Sequence, residues 1–164
     1  MSTWKEYYEA SKYQNMPEPD QKKGVPQPPL QMPYDPNAPL FDLPDPKSCK
    51  LEQTDFLSIA ESRETRRVFT EQKLTLAELS YLLWITQGVK QVTETKTRRM
   101  VPSAGSRHPF ETFLLINRVE DLAQGLYRYL ALEHKLLLVD ASADVNQRLT
   151  EACQNQKHVQ TSAI

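Results

Sequence analysis

Ten of the twelve prolines in this chain fall between Pro17 and Pro46. Proline has no backbone N–H and holds φ near about −65°, so a stretch this dense can be neither a helix nor a central strand. Residues 1–48 therefore read as an extended arm ahead of a domain at 49–164. Leu30, Tyr34, Leu40, Phe41 and Leu43 give the arm apolar side chains to dock on a folded surface; a solvated tail is the other reading. Before the prolines, Trp4, Tyr7, Tyr8 and Tyr13 suggest a short amphipathic helix.

The 164 residues suffice for one ordinary core. Lys+Arg 20 against Asp+Glu 21 leaves a net charge of −1, without the basic excess that nucleic acid or an anionic membrane would select. Partners are then small molecules or proteins. Cys49 and Cys153 stand alone, with neither a CxxC pair nor flanking histidines, so neither a zinc site nor a disulfide framework is expected. No stretch approaches the roughly 18 apolar residues of a membrane span, and the N-terminus has no apolar leader. A cytoplasmic location is the expectation.

Phe56, Ile59 and Ala60 recur at helical spacing behind Thr54 as a cap, which predicts a helix ending near Ser62. The next helix has the stronger signals. Thr75 and Glu78 form a capping box, Leu74 and Leu79 are spaced as a hydrophobic staple, and Gly88 closes the far end. Its Leu76, Leu79, Leu82 and Leu83, with Trp84 beside them, predict a core face. A loop is expected over 89–110. TFLLIN then reads as a buried strand, and GLYRYL, ALEH and KLLLVD as a β-hairpin. Ser142 is placed as the cap of a last helix carrying Val145, Leu149 and Ala152. Helices followed by paired strands and a further helix suit an α+β layered domain.

Three segments have residue types suited to chemistry. In SRETRRVF, Arg63, Thr65 and Arg67 alternate, so in an extended segment two guanidiniums and a hydroxyl face one way. That is a donor set for a phosphate, or else a solvated basic turn after a helix. In VPSAGSRHP, Pro102 and Pro109 stiffen a turn in which Ser103, Ala104 and Gly105 leave the backbone uncovered. Such a turn suits close approach of a flat heteroaromatic ring, or is an ordinary tight turn. Arg98, Arg99 and His108 flank it, the histidine as a proton donor or a structural residue. No serine has an evident base and orienting acid, and GxGxxG and GxxxxGK[ST] are both absent.

In order, RETRRVF, LTLAELSYLLWITQGV, RRMVPSAGSRHPFETFLLI and GLYRYLALEHKLLLVD resemble the nitroreductase family, and closely its SagB-type dehydrogenase branch. WKEYYEASKY and FDLPDP resemble the arm that precedes the domain in that branch. The resemblance implies a nitroreductase-like α+β fold and an FMN-dependent oxidoreductase, with hydride passing through flavin N5 and NAD(P)H as a possible donor. It maps the phosphate grip to Arg63, Thr65 and Arg67, where Thr65 replaces the usual serine and keeps the hydroxyl. It maps the surface along the flavin ring to Pro102, Ser103, Ala104 and Gly105.

Relatives of this kind use small-molecule or peptide substrates, and two subunits share each flavin site, so a homodimer or a complementary chain is implied. Family domains continue through further core strands past the point where TSAI ends this sequence, and TSAI itself is expected to begin a core strand. The Lys-Tyr pair credited with azoline oxidation in the SagB-type branch would lie beyond it, so azoline chemistry is not assigned to these residues. The alternative to an enzyme is a catalytically inactive, truncated homologue that pairs with a full-length relative.

Overall fold

A computed structural model describes residues 3–52 and 54–164. The proline-rich segment runs across the domain, and its residues Leu40–Asp42 form strand β1. The order continues with helix α2 (Phe56–Ser62), helix α3 (Leu76–Gln87), and a hairpin of β2 (Val89–Val92) and β3 (Thr97–Arg99). Strands β4 (Thr112–Ile116), β5 (Gly125–Leu130) and β6 (Lys135–Asp140) follow, then α4 (Val145–Ala152) and the single-turn α5 (His158–Thr161). Helix α1 (Trp4–Ser11) leads the chain.

The main sheet is antiparallel in the order β1-β6-β5-β4. Leu40 lies opposite Leu137, Tyr129 opposite Leu136, and Leu114 opposite Tyr127. One face of α3 closes the core, with Leu79 and Leu83 buried against Ile116, Tyr127, Tyr129 and Leu136. The capping box forms as the sequence predicts: Thr75 Oγ1 accepts from the Glu78 N–H at 3.2 Å, and Glu78 Oε2 accepts from the Thr75 N–H at 2.7 Å. The arm's Phe41 and Leu43 pack on this core, Phe41 meeting the Tyr127 ring edge-on at 5.7 Å.

A proline-rich arm offers carbonyl acceptors but few donors, so the domain must supply the donors. Arg128 on β5, 2 % exposed, does so from inside the sheet. Its Nη2 donates to the Met32 carbonyl at 2.8 Å, its Nη1 lies 3.5 Å from the Pro33 carbonyl, and its guanidinium sits 5.8 Å from the centre of the Tyr34 ring. Gln31 adds an acceptor for the Leu132 N–H, and Glu111 accepts from the Met32 N–H at 2.6 Å.

Several local expectations are corrected. The span 89–110 is not all loop, because Val89–Val92 and Thr97–Arg99 pair antiparallel. Asp55, rather than Thr54, caps α2 by accepting from the Ser58 N–H. Gly88 is not left-handed (φ −54); a Cβ there would stand 2.5 Å from the Trp84 carbonyl oxygen, so close packing is what requires glycine. Leu82 is exposed on α3. Ser142 does not cap α4; its hydroxyl accepts from Arg148, and Ala152 is exposed. The stretch HVQTSAI opens with a helical turn, and Ala163 then accepts from the Asn117 and Arg118 N–H groups without forming a strand ladder. Helix α1 forms, but Trp4, Tyr7 and Tyr8 are exposed.

Replacing Arg128 with Met keeps the volume and removes the donors to the arm. Charge-assisted bonds of this kind are each worth about 1.5–3 kcal/mol, so Arg128→Met should lower the unfolding midpoint in urea and speed tryptic cleavage at the exposed Lys22 and Lys23. Cleavage at the native rate would mean that the arm is held by its other contacts.

Candidate functional site

The Arg63–Phe69 segment leaves α2 as irregular, exposed chain. Arg63, Thr65 and Arg67 are all exposed, and among the described residues their side chains make no hydrogen bond or ion pair. Arg66 between them is engaged, its Nε 2.7 Å from Glu64. The segment's far end is anchored: Arg118 Nη2 donates to the Thr70 carbonyl at 3.0 Å and to the Thr161 carbonyl at 2.7 Å.

The turn at 102–105 lies between β3 and β4. Gly105 is left-handed (φ 62), and a Cβ there would meet nothing closer than 3.6 Å. Conformation rather than crowding therefore favours glycine here, the nearest neighbour being the Arg107 side chain at ordinary contact distance. Ser106 (φ 55) and His108 (φ 43) follow in the same region, unusual for residues with side chains. The Ser103 hydroxyl holds the bend by accepting from the His108 N–H at 2.9 Å. Pro102 and Ala104 are exposed and Ser103 is half-buried. No hydrogen bond or ion pair joins this turn to Arg63, Thr65 or Arg67 among the described residues.

Of the flanking basic residues, Arg99 is buried on β3, its Nε 3.3 Å from Thr97 Oγ1. Burial pushes its pKa down, opposed by Glu111 and Tyr129. Burial, and then Arg99, lower the pKa of His108, so its ring is neutral near pH 7.

A polar cluster that no local pattern announced lies under the arm. Tyr129 Oη is 2.7 Å from His134 Nδ1, His134 Nε2 is 2.8 Å from Ser80 Oγ, and Ser80 Oγ donates to the Pro44 carbonyl at 2.6 Å. Since serine gives its proton to the arm, His134 must donate from Nε2 and accept from tyrosine at Nδ1. Serine, histidine and tyrosine thus form a linked row, but the serine is fully buried and its proton points away from the imidazole. This excludes a nucleophile and makes the row an internal fastening of arm, α3 and sheet. Burial lowers the His134 pKa and pushes Tyr129 up to about 12. The four contributors are spread from residue 44 to residue 134, which is why sequence spacing gave no sign of them.

The family model for the nitroreductase family matches residues 60–163. The chain belongs to the nitroreductase family. It is 29 % identical over 124 residues to a Methanocaldococcus jannaschii protein named as a putative nitroreductase, covering 76 % of this chain and 58 % of that one. A crystal structure of a putative nitroreductase from Anabaena variabilis superposes with a TM-score of 0.57 at 26 % identity, covering 91 % of this chain and 28 % of that one. The fold is thus mixed α+β of nitroreductase type, and the chain spans a little over half the length of the curated relative it matches. No helix among the described residues is long and apolar enough to cross a membrane.

The cluster makes a pH prediction. The pKa of His134 lies below its ordinary 6.5 in the folded chain, so the unfolded chain binds the proton first as pH falls. The stability held by the neutral ring is complete above about pH 6.5 and is lost as pH drops toward the lowered folded value. Between pH 7.5 and pH 5 the thermal midpoint should fall more for the native chain than for His134→Gln, with His108 contributing equally to both. Equal slopes would remove His134 as a source of acid sensitivity.

Proposed function

We propose that the chain is the N-terminal part of an FMN-dependent oxidoreductase of the SagB-type dehydrogenase class. The observation that carries this reading is the 102–105 turn, where a left-handed glycine and its exposed neighbours Pro102 and Ala104 present backbone and little side chain at the surface. A flat heteroaromatic ring lies well against such a surface, since its polar edge meets N–H and C=O groups at close range. In this reading Pro102, Ser103, Ala104 and Gly105 flank the ring, and Arg63, Thr65 and Arg67 grip the phosphate.

The donor set fits that group: two guanidiniums and a hydroxyl, exposed and without protein partners among the described residues. When bound, the flavin supplies the two-electron chemistry, accepting or giving hydride at N5. The chain's residues bind and orient it. NAD(P)H is the proposed hydride donor, a small molecule or peptide the substrate, and the cytoplasm the compartment.

One observation also favours a second reading. Phe56 is 83 % exposed and Val68 93 % exposed, so apolar side chains stand uncovered on both sides of the proposed phosphate grip along the chain. A second copy or a complementary chain would cover them. If the chain holds no flavin, its role is that of an inactive homologue pairing with a full-length relative.

The test is a visible spectrum after incubation with excess FMN and desalting. Retained flavin bands, with Arg67→Ala binding FMN more weakly by on the order of 1.5–3 kcal/mol, are expected. Unchanged affinity would remove Arg67 from the site, and a colourless chain would favour the pairing role.

A further inference from the structure

The arm and the turn that follows Gly105 enclose a cleft of about 720 Å³ that none of Arg63, Thr65, Arg67 or residues 102–105 lines. Its volume lies within the roughly 300–1,000 Å³ usual for small-molecule sites. One wall is the arm, apolar through Val25, Leu30, Met32 and several prolines; the other is Ser106–Pro109 with Glu111 and Thr95.

The polar groups are unevenly satisfied. Of the two carboxylates, Asp20 lies 3.3 Å from Lys23 Nζ, and Glu111 accepts from the Met32 N–H at 2.6 Å. Among the described residues of the cleft wall Arg107 is the full cation, and its hydrogen-bond partners there are neutral: Nη1 donates to Gln27 Oε1 at 2.6 Å and Nη2 to Gln21 Oε1 at 2.9 Å. Gln27 is itself fixed, its Nε2 donating to the Thr95 carbonyl at 2.7 Å. Two amide oxygens orient the guanidinium, and no carboxylate pairs with it directly among the described residues. The backbone that aims it is left-handed on both sides, at Ser106 and His108, a conformation that side-chain-bearing residues keep only where their surroundings impose it.

The geometry points to a second ligand site between arm and domain, for a small, flat apolar molecule carrying one anionic group, the ring against the arm and the anion at Arg107. The site goes beyond the flavin reading and does not depend on it, because its walls come from the arm and from residues after the 102–105 turn.

The test is a titration of the isotopically labelled chain with 1-naphthoate, followed by amide NMR, with neutral 1-naphthamide in parallel. Saturable shifts are expected at Val25, Leu30, Met32, Ser106, Arg107 and His108. Arg107→Gln should weaken naphthoate about tenfold and leave naphthamide nearly unchanged. Leu30→Trp keeps Arg107 and fills the cleft, so it should abolish binding of both probes while the rest of the spectrum shows the fold intact. Shifts centred on Phe56 and Val68, equal naphthoate affinity in Arg107→Gln, undiminished binding in Leu30→Trp, or no saturable shifts would each overturn the proposal. FMN added to the same sample reports separately, through residues 63–67 and 103–105.

Discussion

Extended proline-rich chain can be fixed to a domain only by donors that the domain provides, and the buried Arg128 is the clearest case. Its position in the middle of β5 places a cation inside the sheet, a costly location unless its hydrogens are used. Carbonyls of Met32 and Pro33 take one from each terminal nitrogen and the Tyr34 ring lies against the charge, while the buried Nε–H has no partner among the described residues. Downstream of that anchor the arm keeps its register long enough for Leu40–Asp42 to pair with β6 and for Phe41 to enter the core. Upstream of it, Gln27 and Gln21 reach Arg107. The arm is therefore joined to the domain by arginines at two levels, one buried and one open.

Elements whose signals are local were legible in the sequence. The capping box of Thr75 and Glu78 and the hairpin of GLYRYL and KLLLVD appear where their residues predict them, because each is settled by neighbours within a few positions. What depended on distant partners was not legible. The hairpin over 89–99 lacks the Asn-Gly or Asp-Gly turn that would mark it. Gly88 looked like a left-handed helix end and is instead a place where α3 admits no Cβ.

The site is legible to a different degree. Gly105 was singled out for its small size, and its left-handed backbone gives that choice a physical cause. Arg63, Thr65 and Arg67 were singled out by alternation, and they stand exposed. Arg107 has no local signal in the sequence, since only the folded arm brings Gln21 and Gln27 to it. His134 lies in the ALEH turn of the predicted hairpin, where spacing alone gives it no role; its left-handed backbone (φ 54) goes with a ring directed between Tyr129 and Ser80.

Strand β1 joins β6 across a separation of about a hundred residues, whereas β5 and β6 are linked by a turn of four. Closing so long a loop costs conformational entropy that no local contact returns. The hairpin and its neighbour β4 can form early, and the arm adds its strand only once that surface exists. A piece that is last to arrive in folding is expected to be the first to leave on heating, so the arm would take β1 and one wall of the cleft with it while β4, β5 and β6 stay paired.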